Sequence, residues 1–357
     1  MKTTNTSRVL TAGLSRRAFV GASLASAATL VLAGCNSGSG SADGTADASS
    51  DSKAAPGEKT KITFCLDYTP NTNHTGIYVA QNKGFFADEG LEVEIVQPAD
   101  GTAEGAIGTG QAQLGVSYQD YLAAAYDAGN TGLTAVAAVI QHNTSGIMSR
   151  AEDGITHAAL MEDHVYTTWD MAVEQATIKQ VMTTDGGDFS KLKMVPFTVD
   201  DEVQGLKANM FDCVWVYEGW AVQNAAVQDY PVNYFSFKDM DDVFDFYTPV
   251  LAANNDFMKS NPDAVKAFLR AAKKGYEFAV EHPEDAAQIL CDEVPELDSA
   301  LVEASAKYLA DQYTADASSW GVIDGKRWAA YFQWLNDNDL VENKLDVNAG
   351  FDTSYLA

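Results

Sequence analysis

Cations are scarce in this chain: 23 Lys and Arg stand against 50 Asp and Glu in 357 residues, a formal net charge of −27. Binding to a polyanion such as DNA, or to an anionic membrane face, rests on Lys and Arg neutralising phosphates, so both are excluded as partners. Cysteine is sparse as well, with four residues too scattered for a disulfide scaffold. No GxxxxGKS/T loop is present to cradle a nucleotide, and Gly108-Thr109-Gly110 is a fragment of a dinucleotide fingerprint without its remainder. No GxSxG elbow presents a serine nucleophile. His74, His142, His157, His164 and His282 show no HExxH pair or other metal-ligand spacing, so no metal and no other cofactor is expected. Apolar mass is plentiful: 46% hydrophobic residues, with 16 Phe, 15 Tyr and 6 Trp, suffice to bury a core. The length suits roughly two domains of about 150 residues, or one large one.

Charge is unevenly placed. Residues 1–34 hold Lys2, Arg8, Arg16 and Arg17 and no acid. The apolar run Ala18–Leu32 is shorter than the ~20 residues of a spanning helix and suits a signal-peptide core. Ser15-Arg16-Arg17-Ala18-Phe19-Val20 resembles a twin-arginine export signal. Leu32-Ala33-Gly34-Cys35 resembles a bacterial lipobox, which makes Cys35 the lipidated first residue of the mature protein. Cleavage there leaves 19 cations against 50 acids, a formal −31. Residues 36–58 are Gly, Ser, Ala and Asp with almost nothing apolar. They form a flexible linker whose reach is roughly 25–30 Å. The expected location is extracytoplasmic, lipid-anchored to the outer face of the cell membrane.

From Lys61 onward, short strands alternate with helices. KITFCL and LEVEIV read as strands, and Gly76–Lys83 between them as a helix. The continuous apolar run Leu133–Ile140 reads as a fully buried strand. A second set follows, with strands at Val165–Thr167, Lys193–Pro196, Asp212–Val216 and Asn233–Phe235 and helices between them. After Thr248-Pro249 the pattern is mostly helical. Asn261-Pro262-Asp263 starts a helix whose apolar face is Val265, Phe268, Leu269, Ala272, Tyr276 and Ala279. Trp328, Tyr331, Phe332 and Leu335 line another helix, also as core. This alternation implies an α/β fold in two lobes with a cleft between them.

Ligands of open α/β sheets bind beyond the carboxyl ends of strands. Those ends are rich in amides, hydroxyls and rings. The first strand is followed by Asp67-Tyr68-Thr69-Pro70-Asn71-Thr72-Asn73-His74-Thr75, the third by Ser117, Tyr118 and Gln119, and the fourth by Gln141, His142, Asn143 and Thr144. Trp169 and Asp170 follow a strand of the second lobe, and Trp215, Glu218 and Trp220 surround another, with Trp220 assigned to the core. Such groups both donate and accept hydrogen bonds, and aromatic faces stack on flat rings. With no Lys or Arg in these segments, a neutral or cationic heteroaromatic fits better than a multivalent anion.

The stretch LDYTPNTNHTGIYVAQNKGFFADEGLEVEIVQP resembles the NMT1/THI5-like family of ABC-transporter solute-binding proteins. AVIQHNTSGI, FDCVWVYEGW and AFLRAAKKGYEFA fit the same family, and the match spans residues 60–355. The resemblance implies a two-lobed, type II periplasmic-binding-protein fold. Residues 59–150 and 248–357 would form lobe 1 and residues 151–247 lobe 2, closing by a hinge near 147–160 and 240–249. It implies a receptor, not an enzyme, that captures a thiamine-related pyrimidine and delivers it to an ABC permease with a cytoplasmic ATPase, working as a monomer. It also implies that Trp215 and Tyr247 stack on the ligand ring, that Glu218 meets its ring nitrogen and amino group, and that Tyr68 stands where the family often has Trp. Riboflavin, a purine or another heteroaromatic is the alternative ligand. A surface adhesion or sensor protein, or the family's pyrimidine-synthase branch, are alternatives of another class. That branch carries a CCCFC cluster, which this sequence lacks.

Overall fold

The computed structural model describes residues 59–98, 102–197 and 201–356, so the signal segment, Cys35 and the whole linker lie outside the described residues. Two five-stranded sheets organise the chain. The first contains β1 (Thr60–Cys65), β2 (Leu91–Val96), β3 (Leu114–Ser117), β4 (Leu133–Ala138) and β10 (Val250–Asn254), in the order β2-β1-β3-β10-β4. The second contains β5 (Ser145–Arg150), β6 (Val165–Thr168), β7 (Lys193–Pro196), β8 (Cys213–Tyr217) and β9 (Val232–Ser236), in the order β7-β6-β8-β5-β9. In each sheet three neighbouring strands run parallel, and the strand that enters from the other sheet lies antiparallel beside them.

The chain passes between sheets twice, within residues 139–144 and 237–249. The crossing expected near residue 150 therefore falls one strand earlier. Ser145–Arg150 is already hydrogen-bonded to β8 and β9, with every residue buried. The return expected near 247 falls inside the second passage.

The first sheet packs on the helix Pro262–Glu281. Its predicted apolar face, Val265, Phe268, Leu269, Ala272, Tyr276 and Ala279, is buried. Phe268 lies between Phe64 and Phe86, with ring centroids 5.3 and 4.9 Å away. Each such side chain stabilises the fold by about 1.5–3 kcal/mol. Pro262 occupies the first helical position as expected, but Asn261 does not cap the helix: its amide donates to Ser260 Oγ at 2.9 Å. The helix Thr75–Asn82 crosses this one at a glycine contact, where a Cβ on Gly275 would stand 1.9 Å from the carbonyl oxygen of Gly76. That approach lets the Tyr276 hydroxyl reach Asn73 O at 2.8 Å, which ties the helix to the loop after β1.

In the second sheet a buried carboxylate shapes a strand end. Glu174 accepts from the Tyr166 hydroxyl (2.6 Å), the Thr168 hydroxyl (2.8 Å) and the Trp169 amide. Cys65, Cys213 and Cys291 are free thiols. Burial pushes the Cys65 thiol up to about 11, so it is no nucleophile at neutral pH. Among the described residues, no helix is long and apolar enough to cross a membrane.

Candidate binding cleft

A cavity of about 630 Å³ opens between the two sheets. One wall is the Asp67–Asn73 loop after β1, with Tyr118 and Tyr121 after β3 and Thr248-Pro249 before β10. The facing wall is Tyr217, Gly219 and Trp220 at the end of β8, with Glu202 at the start of the helix Glu202–Lys207. Ile140 and Thr144 of the first passage, with Leu297 and Leu309, complete the lining.

The loop after β1 is built by its own side chains. Asn71 Oδ1 accepts from the Asn73 amide at 2.9 Å and caps the turn Thr72–His74. The Asn71 amide donates to His74 Nδ1 at 3.1 Å, so that nitrogen carries no proton. The imidazole is therefore neutral, and its Nε2–H donates to Asp67 Oδ1 at 2.5 Å. The Tyr118 hydroxyl donates to Asp67 Oδ2. Burial opposes ionisation of Asp67, and the hydrogen bonds that His74 and Tyr118 donate to its two oxygens act against that rise. On the facing wall burial dominates, and with Asp201 alongside it raises the Glu202 carboxyl. Among the described residues no Lys, Arg or His lines the cavity.

Five of the residues expected from the sequence line this space: Tyr68, Asn71, Asn73, Tyr118 and Thr144. Tyr68 is 69% exposed. The others support it or lie elsewhere. His74 and Thr75 are buried beneath the loop, the Thr75 hydroxyl donating to Thr72 O at 2.8 Å. Ser117 donates to the buried Glu104 at 2.5 Å. Gln119 donates to Trp328 O (2.8 Å) and accepts from the Tyr247 amide (3.0 Å), while Gln141 donates to Val322 O at 3.1 Å. His142 and Asn143 belong to a clamp between the two passages: Asp245 accepts from the Asn143 amide at 2.9 Å and from Arg327 at 2.8 Å, and its Oδ2 lies 2.7 Å from His142 Nδ1. Trp169 is half-exposed, 5.6 Å from Trp215, and Asp170 accepts from Gln175 at 3.0 Å.

The expected stacking pair is not brought together at the cavity. Trp215 points into the core of the second sheet, 4.3 Å from Phe237. Tyr247 is buried under the Arg327 guanidinium (4.0 Å), and its oxygen accepts from the Asp324 amide at 2.7 Å. Glu218 accepts from the Tyr308 hydroxyl at 2.7 Å and does not line the cavity. Trp220, assigned to the core, does line it, together with Tyr217, Tyr121, Glu202 and Asp67. A signal for Tyr217 was present: it lies two residues beyond Trp215 on the same face of β8, at the strand's carboxyl end. The π-helical turn Glu218–Val222 swings Trp220 back to the cavity, and no sequence period announces it.

Two α/β lobes with a cavity at their strand ends define the periplasmic-binding-protein fold. Within that class, the family model described as NMT1/THI5 like matches residues 71–286, and the chain belongs to this family. It is 27% identical over 298 residues to a formylaminopyrimidine-binding protein of Halalkalibacterium halodurans, covering 80% of this chain and 88% of that one. It is 24% identical over 252 residues to the 4-amino-5-hydroxymethyl-2-methylpyrimidine phosphate synthase THI11 of Saccharomyces cerevisiae, covering 68% and 73%. Among solved structures it resembles the periplasmic aliphatic sulphonate binding protein SsuA of Escherichia coli, with a TM-score of 0.65 at 14% identity over 83% and 99% of the two chains.

Proposed function

We propose that this protein is the extracytoplasmic, lipid-anchored receptor of an ABC importer, and that it captures a thiamine-related pyrimidine and hands it to the permease. The observation that carries this reading is the cavity itself: Tyr68, Tyr118, Tyr121, Tyr217 and Trp220 supply ring faces, while Asn71, Asn73 and two carboxylates supply polar partners. A flat ring bearing an amino group suits such a wall. The similarity to a formylaminopyrimidine-binding protein supports the same ligand class. No bond-making step is assigned, because the chain lacks the CCCFC cluster of the enzymatic branch, and its cysteines in β1, β8 and the helix Pro283–Glu293 are far apart in the sequence. Closure is a hinge motion at the two passages. Micromolar affinity corresponds to about −8 kcal/mol, within reach of stacking, burial and a few charge-assisted hydrogen bonds.

The test is a titration of the mature protein with 4-amino-5-hydroxymethyl-2-methylpyrimidine and its formylamino analogue, followed by tryptophan fluorescence and thermal shift. Saturable binding by either supports the reading. No response to these, with a response to riboflavin or purines, would transfer the receptor role to another heteroaromatic.

A further inference from the structure

We infer that the cleft takes its ligand as a monocation, a heteroaromatic protonated on the ring beside an amino group, held between Asp67 of one lobe and Glu202 of the other. The inference rests on the receptor reading above and deepens it. Its starting point is an uncompensated charge. The Asp67 side chain is only 5% exposed, and its two oxygens are met by His74 and Tyr118. His74 is neutral, since its Nδ1 accepts the Asn71 amide proton. Both partners of Asp67 therefore donate hydrogen bonds without cancelling its charge. The other titratable groups around it are Cys65, Tyr121, Tyr217 and Tyr276, none of them cationic. A buried carboxylate with no counter-cation is costly to desolvate, and the lobe carrying it faces a cavity where Lys, Arg and His are lacking among the described residues.

Glu202 repeats the pattern from the opposite wall. It lines the cavity, its side chain has no hydrogen-bond partner among the described residues beyond its own amide, and its charged neighbour is another acid, Asp201. Two carboxylates converging on one cavity from two lobes each gain by sharing a cation, and closing the lobes brings them toward it. The same field repels a phosphate or sulfonate. A phosphorylated pyrimidine is thus excluded while its unphosphorylated parent is admitted.

Calorimetric titration of the mature protein with 4-amino-5-hydroxymethyl-2-methylpyrimidine, between pH 5 and 8.5 and in buffers of different ionisation heat, tests this. Above the ligand's own pKa, binding is expected to take up about one proton, with affinity falling about tenfold per pH unit. Ionisation of Glu202 with rising pH acts in the opposite direction, so a fall is carried by the ligand. Glu202→Gln is expected to weaken binding about tenfold with the melting temperature unchanged, and to serve where Asp67→Asn disturbs the His74 turn. The phosphate monoester of the same pyrimidine is expected not to bind. Tight binding with no proton uptake and constant affinity across pH overturns the cation inference and leaves the receptor reading standing, as does binding of the phosphate monoester as tightly as the parent. Binding of a neutral heteroaromatic such as riboflavin in place of every aminopyrimidine, or of no heteroaromatic at all, overturns both.

Discussion

Tyr308 donates its phenolic proton to Glu218 across 2.7 Å, and so joins the helix Ser299–Ala310 to the turn that follows β8. One helical turn earlier, Ser305 extends the connection. Its hydroxyl donates to Gly219 O and accepts from the Thr72 hydroxyl at 2.6 Å, linking the loop after β1 to the opposite wall. Glu218 thus serves as a latch between lobes in this geometry rather than as a wall of the cavity.

Tyr308→Phe should therefore act on closure and leave the cavity wall intact. Losing one hydrogen bond to a carboxylate, partly exposed, is expected to lower apparent ligand affinity by about 1 kcal/mol, roughly fivefold, because the closed form becomes less populated. Fluorescence titration of both proteins measures this. Equal affinities would show that the contact does not bear on closure.

Trp220→Ala should weaken pyrimidine binding by about 1–3 kcal/mol, since its ring lines the cavity. Trp215→Phe should leave affinity near that of the unaltered protein. Trp215 is 8% exposed, and its indole Nε1 has no hydrogen-bond partner among the described residues, so Phe also removes an unsatisfied donor. Isothermal titration of the two variants side by side decides between these rings, and a larger loss at Trp215 would reverse the assignment.

Asp120 makes a prediction about pH. Its Oδ1 is buried without a partner among the described residues, and burial pushes its carboxyl up to about 6 from an ordinary 3.8, with Glu104 adding to the rise. The folded protein binds this proton more tightly than the unfolded chain does. Asp120 therefore lowers stability as pH rises from about 4 to about 6, and the cost persists above that, at most about 3 kcal/mol. Asp120→Asn is expected to raise the melting temperature at pH 7.5 by a few degrees, with the gain vanishing near pH 4. Thermal melts across that range would expose a gain that does not depend on pH.

Gly275→Ala tests the helix contact behind the loop after β1. The added Cβ would collide with the carbonyl of Gly76, a backbone atom that cannot swing aside. A loss of about 1–3 kcal/mol is expected, seen as a lower denaturation midpoint with an unchanged slope.

Much of the architecture was legible in the sequence because its strands and helices are strongly periodic. LEVEIV and KMVP are strands at the expected residues, and the face Val265–Ala279 is buried as its spacing implies. The strands β5 and β10 were not legible. SGIMSR is half polar and VLAAN is alanine-rich, and their strand character comes from being sandwiched between neighbours that only the tertiary fold supplies. The site was legible at the loop after β1, where Asn-Thr-Asn turn chemistry is local. It was obscured at β8, where one π-helical turn exchanges which of two tryptophans meets the cavity. In the sequence Asp67 is one residue of a polar strand end. Its role depends on which tautomer His74 adopts, and that follows from a backbone amide rather than from residue type.

The insertion of β10 between β3 and β4 has a consequence for assembly. The second sheet is drawn wholly from residues 145–236, so its pairing can form as soon as that stretch exists. The first sheet has a missing middle strand until Leu251 arrives to pair with Val116 on one side and Ala137 on the other. Loops of more than a hundred residues must close before that gap is filled, which makes this pairing the slow, late step of folding. The nascent chain thus carries an open, apolar sheet edge while more than a hundred residues are added, and the lobe that begins first is the lobe that finishes last.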